Sequence, residues 1–311
     1  MDDSFTIVLD NRDILSGVCG ANDGNLKVIE GSLGGRIAAR GNEIRLEGAN
    51  GDGVRRFKKV MDNLITLVRE GEIPSPEYVR SLTGGAETAE EGIIQIPSGF
   101  RRIYPRSKNQ VSYIKDMRSH DIAFCIGPAG TGKTFLAIAE ALRLVLSKKM
   151  RKLVLTRPVV EAGESLGFLP GDLIQKINPY LRPLYDAMES LIPYDVIHRM
   201  EESRLIEIAP LAYMRGRSLN ECVVILDEAQ NTTKEQMKMF LTRIGEGARA
   251  VITGDVTQVD LPKRQDSGLL HALSVLASVE GLCFSWLHTD DVVRNPLIKK
   301  IIQAYDDNEK K

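Results

Sequence analysis

Apolar positions along this chain follow two rhythms. Val54, Phe57, Met61, Leu64 and Val68 recur every three or four residues, which predicts one helix with a single buried face. Ahead of it the period is two. Arg36-Ile-Ala-Ala-Arg40 and Glu43-Ile-Arg-Leu-Glu47 both alternate, and the Gly41-Asn42 pair between them predicts a tight hairpin. Phe5 to Leu9 reads as a further strand, and Asp10 to about Ser16 as a short helix capped by Asp10 or Asn11. Residues 1–70 are therefore expected to form a small α+β module of strand, helix, hairpin and helix.

Residues 71–99 break the pattern. Gly, Pro, Ser and Glu dominate, and apart from a short helix around Glu77 to Leu82 the stretch is expected to be a linker. Beyond it, from about 100 to 305, short apolar runs recur at Ile122–Ile126, Leu153–Thr156, Leu205–Ile208, Val223–Leu226, Ala250–Thr253 and Cys283–Leu287. Helical stretches separate most of them. That is the pattern of an α/β domain, a mostly parallel sheet joined by crossover helices. A last helix is expected from Asn295, and 306–311 reads as a charged, frayed tail.

The 311 residues suffice for two such domains, and 43% hydrophobic content is ordinary for a globular chain. A net charge of −1 with 27% charged residues neither suggests a protein that coats nucleic acid nor excludes a local basic groove. Cys19, Cys125, Cys222 and Cys283 are scattered without a C-x-x-C pair, which points to a reducing compartment without disulfides or zinc. The N-terminus has no signal-peptide pattern, and no apolar run approaches the roughly 20 residues that span a bilayer. The expectation is a cytoplasmic protein with no membrane partner.

Four stretches carry chemistry. Gly127-Pro128-Ala129-Gly130-Thr131-Gly132-Lys133-Thr134 fits G-x-x-x-x-G-K-[ST], with a strand-like run before it and an Ala/Leu-rich helix after it. On such a turn, backbone N–H groups and a helix N-terminus converge on a polyphosphate. Lys133 is expected to reach the β/γ-phosphates, and the Thr134 hydroxyl to ligate Mg²⁺. Val223-Val-Ile-Leu226 ends in Asp227-Glu228, so a buried strand delivers two carboxylates to the sheet's C-terminal edge. Asp227 is expected to hold Mg²⁺ through its water shell, and Glu228 to polarise the attacking water. Val251-Ile-Thr-Gly-Asp255 followed by Gln258 is a third strand end, where an amide can contact a γ-phosphate and orient that water. Asn109-Gln110 with Tyr113 precedes the loop; Gln110 suits either an adenine edge or a helix cap.

In this order, Gln110, GPAGTGKT, DEAQ and GDVTQ resemble the nucleotide-binding core of superfamily 1 helicases. The closer resemblance is to the PhoH-like ATPase family in its short form, which has a small N-terminal domain. It is carried by GPAGTGKTFLAIA (127–139), LTRPVVEAGESLGFLPG (155–171), PLAYMRGRSLNECVVILDEAQNTT (210–233), TGDVTQVDLP (253–262) and DDVVRNPLI (290–298). The hairpin at 36–48 is similar to that family's N-terminal domain, and the nuclease domain of its long form has no counterpart here. The resemblance implies a RecA-like P-loop core that binds ATP and Mg²⁺ and works on or near RNA, with helicase activity in some members. It also implies a functional link to a YbeY-type endoribonuclease in ribosomal RNA maturation.

Residues 100–311 hold one RecA-like domain, whereas a superfamily 1 motor closes two on ATP. A complete site needs an arginine beside the γ-phosphate, and the candidates are Arg157, Arg215, Arg217 and Arg294. Arg294 matches the place where such helicases keep a phosphate-sensing arginine. A homo-oligomer, with a hexamer favoured, would let a neighbour supply that group. A nucleotide-gated adaptor that docks a nuclease without unwinding is the second reading. A small-molecule kinase fits poorly, because a water-activating Glu228 would waste ATP. Gly31-Ser-Leu-Gly34 has the letters of a KH-type RNA clamp but sits close to the hairpin, so RNA-binding and docking roles both stand for the N-terminal module.

Overall fold

A computed structural model describes residues 4–83, 92–158, 173–263 and 266–292. The chain divides into two compact units. One comprises Met1–Ile93 with Ile103–Val111, the other Ile94–Arg102 with Ser112–Lys311.

The first unit runs β1 (Ser4–Val8), α1 (Arg12–Cys19), α2 (Gly24–Leu33), β2 (Arg36–Arg40), β3 (Glu43–Glu47), α3 (Gly51–Arg69) and α4 (Pro76–Thr83). Its three-stranded sheet has the order β1-β3-β2 and is antiparallel, with Phe5 opposite Leu46 and Ile7 opposite Ile44. Asn11, rather than Asp10, caps α1 by accepting from the Ile14 N–H at 2.8 Å. Ile44, Leu46, Phe57, Met61 and Leu64 are fully buried, so the alternating and helical patterns meet in one core. Each such side chain contributes about 1.5–3 kcal/mol by leaving water.

Three features of this unit differ from the expectation. Helix α2 lies between α1 and the hairpin, giving the order βααββαα. Its start carries no capping signal, since Asp23 at the N-cap is left-handed with no side-chain cap bond. Its buried face also includes a polar residue, Asn25, whose amide donates to the Val18 and Pro74 carbonyls at 3.1 and 3.2 Å. Gly31 to Leu33 are helical, with Gly34 as C-cap, so this tetrapeptide is not a loop that clamps a backbone. Finally, Tyr78 and Val79 of the stretch expected as a linker are buried in this core, because α4 is itself amphipathic.

The second unit contains β4 (Ile94–Gln95), β5 (Arg102–Ile103, whose last residue counts with the first unit) and most of α5 (Lys108–Ser119). There follow β6 (Ile122–Ile126), α6 (Lys133–Leu146), β7 (Lys152–Arg157), α7 (Leu173–Glu189), α8 (Tyr194–Glu202) and β8 (Ile206–Pro210). The last elements described are β9 (Cys222–Leu226), α9 (Lys234–Leu241), β10 (Arg249–Gly254), α10 (Gly268–Val275) and β11 (Leu282–Trp286). All six expected strands are present within one or two residues. They form one sheet of order β11-β6-β10-β9-β7-β8, and every neighbouring pair is parallel. Strand β9 is buried at all five positions, as a strand covered on both faces must be. The helix expected from Asn295 and the tail lie outside the described residues.

The order matters for the site. Strand β6 pairs with β10 on one side and not with β7, the next strand in sequence. The chain therefore crosses over two strands, and the C-terminal ends of β6, β10, β9 and β7 open side by side into one crevice.

Candidate nucleotide site

Ile126 ends β6, and the loop Gly127–Gly132 turns the chain into α6. Two of its glycines have left-handed backbone, Gly130 at φ 80° and Gly132 at φ 86°, which L side chains rarely adopt. Gly127 is required for a different reason. Its N–H donates to the Gly254 carbonyl at 3.1 Å, and a Cβ there would meet the Leu287 carbonyl oxygen at 2.4 Å. The Thr131 hydroxyl donates to the Pro128 carbonyl at 2.8 Å and closes the loop on itself.

Lys133 is buried, with its ammonium donating to the Gly127 and Pro128 carbonyls at 2.6 and 2.9 Å. Burial holds it below the ordinary lysine range, opposed by the nearby carboxylates of Asp255, Glu228 and Asp227. The Thr134 hydroxyl donates to Asp227 Oδ1 at 2.6 Å, and the Thr253 hydroxyl to the same oxygen at 2.7 Å. Asp227 is itself buried, and its N–H donates to the Thr156 carbonyl at 2.9 Å. Loop, β7, β9 and β10 are thus tied together at the point where the two carboxylates emerge.

Glu228 follows with φ 52°, a strained value for a residue with a side chain. Its carboxylate accepts from Gln230 Nε2 at 2.6 Å and from Arg157 Nη2 at 3.1 Å. Gln230 in turn accepts from the Asp255 N–H at 3.0 Å, so one buried amide spans the ends of β9 and β10. A cavity of about 370 Å³ opens here, lined by Lys133, Thr134, Asp227, Glu228, Asp255, Gln258 and Arg157 among others.

The donor set suits a hydrated divalent cation. A threonine hydroxyl and two carboxylates offer hard oxygen ligands. Asp255 Oδ1 accepts from the Thr257 N–H and hydroxyl, at 2.9 and 2.6 Å. Its Oδ2 is buried, with no hydrogen-bond partner among the described residues.

Two other sequence candidates, Arg217 and Arg215, are not among the residues that line the cavity. Arg217 grips Glu207 of β8 with both terminal nitrogens, at 2.5 and 2.8 Å. Arg215 is exposed. Arg294 falls outside the described residues. Gln110 folds with the first unit, where its amide oxygen accepts from the Arg106 N–H at 2.6 Å. Tyr113 supports the loop from below, its buried hydroxyl donating to the Lys133 carbonyl at 3.3 Å. Cys125 and Cys222 are buried small hydrophobes, and burial pushes both thiols up. Cys283 was not legible as part of a donor group, yet its sulfur lies within 4.8 Å of ligand atoms of Asp116 and His120.

Sequence comparison bears on the same residues. Positions 102–306 match the family described as PhoH-like protein. The chain belongs to the PhoH-like family. A PhoH-like protein of Bacillus subtilis is 44% identical over 307 residues, covering 96% of each chain. One from Mycobacterium tuberculosis is 45% identical over 300 residues, covering 94% of this chain and 85% of that one. Protein PhoH of Escherichia coli is 42% identical over 233 residues, covering 74% of this chain and 65% of its own length. Among solved structures, EssC (ATPases 2 and 3) from Geobacillus thermodenitrificans overlays with a TM-score of 0.24 at 14% identity. It covers 75% of this chain and 45% of that one, too loose a likeness to carry any argument. Among the described residues no helix is long and apolar enough to cross a membrane.

Proposed function

We propose that this PhoH-like chain binds Mg²⁺-ATP in the crevice above β6 and hydrolyses it, coupling turnover to RNA. The supporting observation is the convergence of Lys133, Thr134, Asp227 and Glu228 on one cavity, with the Thr134 hydroxyl 2.6 Å from Asp227. Thr134 and Asp227 would hold the ion, which would supply charge neutralisation to the β- and γ-phosphates. The loop N–H groups and Lys133 orient the polyphosphate; to do so, Lys133 exchanges two carbonyls for phosphate oxygens. Glu228 takes the proton of the attacking water, and Gln258 at the cavity rim orients it.

Among the described residues, a single RecA-like core borders the site. We therefore assign the remaining arginine to a neighbouring copy in a homo-oligomer, a hexamer for preference, with Arg215, Arg217 or Arg294 as the donor. The RNA role, the helicase activity and the link to a YbeY-type endoribonuclease rest on family resemblance. The βααββαα order of the first unit is compatible with an RNA-binding module. Gln110 is proposed for the adenine edge, and the cytoplasm as the compartment.

Hydrolysis with Mg²⁺, with and without single-stranded RNA, tests the coupling, and separation of an RNA duplex tests the motor. RNA-stimulated turnover with strand separation supports a remodeller. Turnover without separation favours the adaptor, in which ATP sets the oligomeric state and a nuclease docks. Turnover indifferent to RNA contradicts the coupling.

A further inference from the structure

Arg157 ends β7 and is committed in two directions. Its Nη2 donates to Glu228 Oε1 at 3.1 Å, and its Nη1 to the Tyr180 carbonyl of α7 at 3.3 Å. Gln230 occupies the other Glu228 oxygen. The carboxylate proposed to take a proton from water is therefore held by two donors, one of them cationic. Both ends of the ion pair are partly shielded, with side-chain exposures of 21% and 34%, and both line the cavity that Lys133 and Thr134 enter.

A guanidinium presents paired N–H groups that fit a phosphate as well as a carboxylate. A terminal γ-phosphate carries more charge than a carboxylate and offers three oxygens. ADP has no such group to offer at that position. We propose that Arg157 reads the γ-phosphate in cis by exchanging Glu228 for it, so that the base is released only when ATP occupies the loop. The inference rests on the P-loop reading above and deepens it. The exchange also withdraws Nη1 from Tyr180. Pro183 and Ala187 of α7 line the same cavity, so that helix senses which nucleotide is bound. After phosphate departs, Arg157 returns to Glu228 and the site is quiet again. The pair thus discriminates ATP from ADP without help from a neighbour, and is independent of any arginine acting in trans.

A double-mutant cycle on the full chain tests this, with Mg²⁺-ATPγS and Mg²⁺-ADP affinities measured by calorimetry. Glu228→Gln removes the charge competing for Arg157, so ATPγS affinity should rise about tenfold, the scale of a coupled contact pair. ADP affinity should stay unchanged. Arg157→Gln should weaken ATPγS alone, Arg157→Lys less so, and Glu228→Gln added to Arg157→Gln should produce no further gain. Unaltered ADP binding also certifies that each variant is folded. A gain that survives in Arg157→Gln would overturn the proposal, because it would be simple relief of charge repulsion. Equal effects on ADP and ATPγS would overturn it too. Failure of the wild-type chain to bind either nucleotide would instead remove the P-loop reading on which it stands.

Discussion

The Thr134 hydroxyl donates to Asp227 Oδ1 at 2.6 Å, although the two residues are 93 positions apart, one in the first turn of α6 and the other just past the end of β9. With its proton given to the acid, the hydroxyl oxygen of Thr134, a residue that lines the cavity, keeps lone pairs to offer a cation. Asp227→Asn keeps the volume but removes the charge. It is expected to shift the Mg²⁺ dependence of hydrolysis to at least about tenfold higher concentration, within the range seen when a group supporting a metal is lost. Titrating activity with Mg²⁺ checks this, and an unchanged midpoint would dissociate Asp227 from the ion.

Two glycines should respond to alanine in opposite directions. At Gly127 a methyl would meet the Leu287 carbonyl at 2.4 Å, so backbone must shift, and a loss of about 1–3 kcal/mol is expected. At Gly31, inside α2, a methyl meets nothing within 4 Å, and alanine should stabilise by about 0.5–1 kcal/mol. Thermal melts of the two variants decide the matter.

Glu207 accepts from Arg217 on both oxygens and from Lys152 at 3.1 Å, and the Arg217 bonds are the main reason its carboxyl falls from 4.5 to about 2. A depressed carboxyl stabilises the fold fully above its unfolded value and loses that contribution as pH falls toward 2. Wild type should therefore exceed Glu207→Gln in stability at neutral pH. The difference should shrink between about pH 4.5 and 2. A gap that stays constant through that window would contradict the ion-pair account.

Much of this was legible in the sequence where one local pattern settles the matter. The Gly41-Asn42 pair between alternating arms set the hairpin, and four apolar residues ahead of Asp227-Glu228 set the strand that delivers them. What escaped depended on contacts distant in sequence. Arg157 and Glu228 are 71 residues apart, and nothing near either says they pair. Gln230 stood inside a recognised motif, but its span from β9 to β10 needs the sheet order. Glu140 looks like a solvated helix residue, yet it is almost fully buried and held by Arg118 and Arg143. Only Arg143, three residues on, left a local trace. Helix α2 was hidden because its buried face includes Asn25, which reads as polar and is satisfied by two distant carbonyls.

The proposed homo-oligomer has its own test among the arginines. Arg217 is tied to Glu207, so Arg217→Ala should lower stability more than it lowers turnover at saturating ATP. Arg215 is exposed. Mixing Lys133→Ala with Arg215→Ala subunits should restore part of the activity, because some interfaces then pair an intact loop with an intact arginine. Arg294→Ala is the parallel case. A chain that stays monomeric with ATP and still turns over at full rate would refute assembly in trans.

The most direct test of the central claim measures ATP affinity and turnover in parallel for wild type, Lys133→Ala and Glu228→Gln. Lys133→Ala deletes a phosphate-binding charge, so binding and turnover should fall together. Glu228→Gln should retain or tighten binding while hydrolysis drops about 10²-fold or more, the scale of a lost general base. That split is the predicted result. Unchanged ATP affinity in Lys133→Ala, or wild-type hydrolysis in Glu228→Gln, would contradict the account.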